Sequence, residues 1–113
     1  MPIKITTKKY KRVDLVQVSG RIDSSTAPQF EKVLQSIIDD GRFRIVVDMS
    51  GVDFMSSAGL RTLLSIAKQA RRFNRGDLRL ASVQSKVKKA FELAGLDEIF
   101  KFYDNDVDAV GSF

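Results

Sequence analysis

The sequence predicts an α/β fold, a single domain built on a mixed, mainly parallel sheet of about five strands with three to four helices. Two observations carry that expectation. Short β-branched or continuously apolar runs alternate with longer runs of helical periodicity. The 113 residues, 43% of them apolar, suffice for one core and not for two. Strands that alternate with single helices imply parallel neighbours joined by right-handed crossovers.

The elements follow in order. Residues 3–10, "IKITTKKY", form a weak strand whose lysines suit a sheet edge. Residues 13–19, "VDLVQVS", are richer in β-branched side chains, end at Gly20 and can pair with the first strand. Thr26 and Gln29 then fit a capping box, and Pro28 is tolerated in a first turn. Phe30, Val33, Leu34, Ile37 and Ile38 recur at helical spacing until Gly41 supplies a stop. Residues 44–50, "RIVVDMS", are almost continuously apolar, as befits a central strand covered on both faces.

A second helix runs from Ser57 to about Phe73 and is closed by "NRGD", residues 74–77. Residues 78–83, "LRLASV", give the next strand. Ser85 can cap a third helix whose Val87, Ala90, Phe91 and Ala94 share one side, with Gly95 ending it. "IFKFY" is a last short strand, and "DNDVDAV" is either a final turn of helix or an exposed tail. The order is β-β-α-β-α-β-α-β, with a terminal α left open.

Composition excludes much chemistry. The chain has neither cysteine nor histidine, so it has no disulfide, thiol nucleophile, Ser-His-Asp triad or imidazole metal ligand. We expect no enzyme, no catalytic residue, no cofactor and no metal. No apolar run reaches the ~20 residues of a membrane span, and the N-terminus lacks the apolar stretch of a secretory signal. A cytoplasmic protein without membrane insertion is expected. The net charge of +5 is uneven, with basic groups near the start, between Arg61 and Arg79 and at Lys86, Lys88 and Lys89, and acidic groups toward the end. Such a field steers an acidic partner. There is no phosphate-binding glycine-rich loop, and no aromatic residues are interleaved with the basic ones, so a nucleic-acid partner is not expected.

The stretch "DFMSSAGLRTLL", residues 53–64, sits where a strand gives way to a helix, the usual meeting place of α/β folds with their ligands. At 100° per residue, Leu60, Leu63, Leu64, Ile66, Ala67, Ala70 and Phe73 cover the core half of that helix. Arg61, Ser65, Lys68, Arg72 and Arg75 form a stripe on the other half, with Ser57 directly before Arg61. Ser56 points toward the apolar side at an N-cap position, so its hydroxyl is assigned to capping and that of Ser57 to solvent. Ala58 and Gly59 add little bulk, which lets a large partner approach the helix end.

"VVDMSGVDFMSSAGLRTLL" resembles the signature of the STAS domain family, named for sulfate transporters and anti-sigma factor antagonists. "VSGRIDSSTAPQFEKVL" and "LRLASVQSKVKKAFELAGLDEIFKFYD" resemble further family segments in the right order, and the likeness covers nearly the whole chain as one domain, 1–113. The resemblance implies a stand-alone anti-sigma factor antagonist, switched off when an anti-sigma factor with serine kinase activity phosphorylates it and restored by a serine phosphatase. The family's phosphorylated serine falls on Ser57. Many members carry Asp just before it where this chain has Ser56, which leaves Ser56 as the alternative. Asp23 matches a family aspartate expected near Ser57, so the implied partner surface is Asp23, Ser56, Ser57, Ala58, Gly59 and Arg61. The alternative role is a STAS adaptor subunit of a stress-signalling complex or of a membrane transporter ATPase, without this cycle. Oligomeric state is left open.

Overall fold

The computed structural model describes residues 3–73 and 75–113, and its elements follow the expected order. These are β1 (Lys4–Lys9), β2 (Asp14–Ile22), α1 (Ala27–Asp39), β3 (Arg44–Met55), α2 (Ser57–Ala70), β4 (Asp77–Ala81), α3 (Ser85–Leu93), β5 (Phe102–Tyr103) and α4 (Asp106–Gly111). The five strands lie in the order β1-β2-β3-β4-β5. The edge strand β1 is antiparallel to β2, and the remaining neighbours are parallel.

Side chains of a strand alternate between faces, and this sorts the core into two layers. On one face Val16, Val18, Ile45, Val47, Leu78 and Leu80 meet Phe30, Leu34, Leu63, Ile66 and Phe91 from α1, α2 and α3. Phe91 also packs edge-on against Phe100 and Phe102, with centroids 5.7 and 5.4 Å away. On the other face Val13, Leu15, Val46 and Ala81 are covered by Ala109, Val110 and Phe113 in and after α4. The middle of β3 is thus buried on both sides, as its almost continuously apolar run predicts. Each such fully buried side chain contributes about 1.5–3 kcal/mol.

Several boundaries differ from expectation. β2 runs past Ser19 to Ile22, its register with β3 shifting around Gln17–Ser19 and Gly20–Arg21, with Gly20 at φ 108°. β3 runs past Ser50 to Met55, because Gly51, Val52, Phe54 and Met55 keep pairing with β2. Gly51 is needed there, since a Cβ would lie 2.5 Å from Cβ of Ser19. β5 is shorter than expected at two residues, and the open terminal segment is helical.

α2 stops at Ala70 with Arg71 as its C-cap, so Arg72 and Arg75 lie beyond it, and Arg75 takes φ 56°. Of the expected stop, Asn74 lies outside the described residues. Phe73, assigned to the core half of the helix, is instead 50% exposed and stacks on Phe43 at 4.8 Å. Ala94 is likewise exposed.

The caps also differ. Gln84, not Ser85, is the N-cap of α3. Thr26 is the N-cap of α1, but its hydroxyl donates to the Arg21 carbonyl and accepts from the Asp23 N–H instead of capping the helix.

Candidate functional site

One residue, Ser56, joins the end of β3 to the start of α2. Its backbone is extended, its N–H donates to the Ile22 carbonyl at 2.9 Å, and its own carbonyl accepts from Leu60 at 3.2 Å. It is therefore the N-cap in position and backbone. The expected side-chain cap is not made: Oγ of Ser56 is sealed from solvent and has no hydrogen-bond partner. Ile22 pairs with Met55, so the end of β2 lies directly against Ser56.

Ser57, the first helical residue, is exposed, and so is Arg61 one turn later. The amides of a first helical turn have no intrahelical acceptor and favour negative charge beside them. Ser57 therefore offers its hydroxyl to solvent at a point where an added anion is electrostatically tolerated by the domain.

The small residues divide their roles. Gly59 is buried, and a Cβ there would lie 2.8 Å from Ile22 and 2.9 Å from Met55, so its lack of a side chain lets α2 seat on the strands beneath it. It shapes the site from below. Ala58 is half-buried, packs against the core and opens onto a cleft of about 360 Å³ between α1 and α2. That cleft is also lined by Ser24, Glu31, Arg61, Thr62 and Ser65.

Asp23 begins the neighbouring loop. Its Oδ1 accepts from the Ser25 hydroxyl at 2.7 Å, the Ser25 N–H at 2.9 Å and the Thr26 N–H at 3.2 Å, and its Oδ2 lies 3.4 Å from Arg21. The Ser25 hydroxyl and amide, with Thr26 and Arg21 adding to them, hold this carboxyl below the ordinary aspartate range. Asp23 is thus an ionised turn carboxylate that shapes the loop beside Ser56.

Two residues absent from the expected surface lie beside it in the fold. The guanidinium of Arg21 lies 3.7 Å from the centroid of the Phe54 ring, and Phe54 is 37% exposed. The two residues are opposite one another in the β2–β3 ladder. Their signal in the sequence is a bulky aromatic just before the two serines, which gains meaning only once β3 is known to run past Ser50.

These features together, a five-stranded mixed sheet and a one-residue strand-to-helix link followed by an exposed serine, define an α/β module that displays a hydroxyl at the amino end of a helix. The chain belongs to the STAS domain family, whose profile matches residues 4–109. It is 33% identical over 111 residues to BtrV of Bordetella bronchiseptica, a protein named as a candidate anti-sigma factor antagonist, covering 98% of this chain and 95% of the relative. It is 27% identical over 111 residues to RsfB of Mycobacterium tuberculosis, named an anti-sigma-F factor antagonist, covering 96% of this chain and 87% of the relative. The crystal structure of an anti-sigma factor antagonist from Mycobacterium paratuberculosis superposes with a TM-score of 0.87 at 27% identity, covering 97% of this chain and 92% of the other. Among the described residues no helix is long and apolar enough to cross a membrane.

Proposed function

We propose that this chain is an anti-sigma factor antagonist that docks through the Ser57 end of its sheet and is released when Ser57 is phosphorylated. The observation that carries the reading is the division between two adjacent serines: the Ser57 side is exposed, whereas the Ser56 oxygen is sealed. A kinase reaches the first without disturbing the domain and the second only by opening the junction of β2, β3 and α2. Similarity to proteins named as anti-sigma factor antagonists supports the class of partner. The partner is an anti-sigma factor with serine kinase activity, and a serine phosphatase reverses the modification.

Unmodified, the site offers a small hydroxyl framed by Asp23, Ala58, Arg61 and the Arg21–Phe54 pair. A phosphate adds about −1.5 to −2 charges. On its own helix the group is tolerated, because the first-turn amides and Arg61 both favour an anion. Within a docked interface the same dianion must shed water without a matched partner. A hundredfold to thousandfold loss of affinity needs only ~3 to 4 kcal/mol, so release requires no change of fold.

The test uses the cognate anti-sigma factor with ATP. Mass spectrometry of the tryptic peptide 45–61 should place one phosphate on Ser57, and calorimetry should find Ser57→Ala binding like wild type and Ser57→Asp at least about tenfold weaker. Phosphate on Ser56 or on neither serine, or equal affinity of all three proteins, would overturn the proposal.

A further inference from the structure

At the end of the sheet opposite Ser57, where β2, β3 and β4 begin, three loops converge. Arg42 knits two of them, pairing with the buried Asp14 and donating to the Tyr10 carbonyl at 2.6 Å. The third is held by the Asp77 N–H, which donates to the Phe43 carbonyl at 2.9 Å. Between the first two lies a cleft of about 200 Å³ lined by Lys11, Arg12, Gly41, Arg42, Phe43 and Arg44, four cations without a carboxylate among them.

Two carboxylates at this end are used inward, Asp14 on Arg42 and Asp77 on Arg71 and Arg79, while Asp39 and Asp40 at the end of α1 stay exposed. Lys11 and Arg12 are exposed and form no ion pair with the described residues. Arg72 and Arg75 add exposed positive charge from the third loop. Aromatic surface stands on either side: Tyr10 is 45% exposed, and Phe73, resting on Phe43, is 50% exposed.

We infer that this pole is a second docking surface, which takes an acidic segment of a protein partner carrying an apolar side chain. Arginine and aromatic residues together are the common anchors of protein interfaces. The cleft has room for an acidic side chain or two, and Phe73 and Tyr10 supply apolar contact beside it. A nucleic-acid strand fits less well, because it needs a groove that follows several successive phosphates. Here the cations surround a single cleft and not a continuous track. Since Ser57 lies at the other end of the sheet, this surface remains available while the phosphorylatable end is engaged.

The test is fluorescence anisotropy of the full chain with a dye-labelled peptide repeating Glu-Glu-Phe, compared with a Gln-Gln-Phe peptide and with a single-stranded DNA of similar charge. The acidic peptide should bind tightest. Lys11→Glu/Arg12→Glu should weaken it at least about tenfold and Phe73→Ser about threefold, whereas Lys88→Glu/Lys89→Glu and Ser57→Asp should change it less than about twofold. Circular dichroism checks folding, and Arg72→Glu/Arg75→Glu replaces the first double variant should that one misfold. Equal loss in the Lys88 and Lys89 variant, tighter binding of the DNA, or no preference for glutamate over glutamine overturns the proposal.

Discussion

The carboxyl groups of Asp48 and Asp106 converge on the side-chain amide of Gln17, on the sheet face covered by α4. Gln17 donates to both, at 3.4 Å each. Oδ1 of Asp106 is sealed and has no donor facing it, so a proton on this carboxyl satisfies an oxygen that would otherwise be orphaned. Burial, the hydrogen bond with Asp48 and the charge of Asp48 raise the Asp106 pKa above its ordinary 3.8, against smaller opposing effects of Gln17 and Lys8. Burial acts to raise Asp48 as well, but the Ser50 amide and hydroxyl, with Asp106 and Gln17, outweigh it and leave Asp48 lowered.

The folded protein therefore holds the Asp106 proton more tightly than the unfolded chain does. The stability this contributes is whole below about pH 3.8 and is lost as pH rises through the elevated Asp106 value. Asp48 acts in the opposite sense, its contribution being present above its unfolded value and lost as pH falls through its lowered one. Asp106→Asn keeps a donor toward Asp48 and removes the second charge. It should stabilise the protein by about 1 kcal/mol at neutral pH, a rise of about 4 °C in Tm, and flatten the decline in stability above pH 4. Thermal melts of both proteins at pH 5 and 7.5 check this; parallel pH profiles would mean the proton is not shared.

Ser56→Ala should cost less than about 0.5 kcal/mol, whereas loss of a working serine cap typically costs about 1 kcal/mol. The reason is the sealed Oγ, which makes no capping bond that alanine could forfeit. Urea denaturation measures the difference. A loss near the usual cap value would show that the hydroxyl does hold a first-turn amide.

Arg21→Ala and Phe54→Ala should each weaken binding of the anti-sigma factor about threefold to tenfold while lowering Tm by no more than about 4 °C. Exposed cation–π pairs contribute only about 0.5–1 kcal/mol within a fold, whereas arginine and aromatic residues are prominent among interface anchors. Calorimetric titration beside a melting curve separates the two effects. Unchanged affinity would remove this pair from the docking surface.

Gly76→Ala should destabilise far more than Gly59→Ala. A Cβ at Gly76 would lie 2.2 Å from the Ala70 carbonyl oxygen and 2.5 Å from that of Phe43, backbone atoms that move only with their elements. At Gly59 the clash is with side chains of Ile22 and Met55, which can adjust. We expect a loss of about 3 kcal/mol or more for Gly76→Ala and about 1–2 kcal/mol for Gly59→Ala, read from denaturant midpoints.

What the sequence alone determined is what is local. Periodicity places α1 and α2, β-branched and almost continuously apolar runs mark β2 and the buried centre of β3, the alternation of Leu78 and Leu80 marks β4, and the helical wheel puts Ser57 on the outer side of α2 and Leu63 and Ile66 on the inner. These signals depend on neighbours within one or two turns, so they survive without knowledge of the fold. The tertiary structure decided the rest. β3 reaches Met55 through a stretch that alternates poorly, because β2 continues beside it, and a strand's extent depends on its partner as much as on its own residues. That pairing lays the end of β2 against Ser56 and sets Arg21 against Phe54, while the packing of α4 brings Asp106 to Gln17 and Asp48 from a distant point of the chain. None of these contacts leaves a periodic trace, because each side chain's surroundings are supplied by residues far away in sequence.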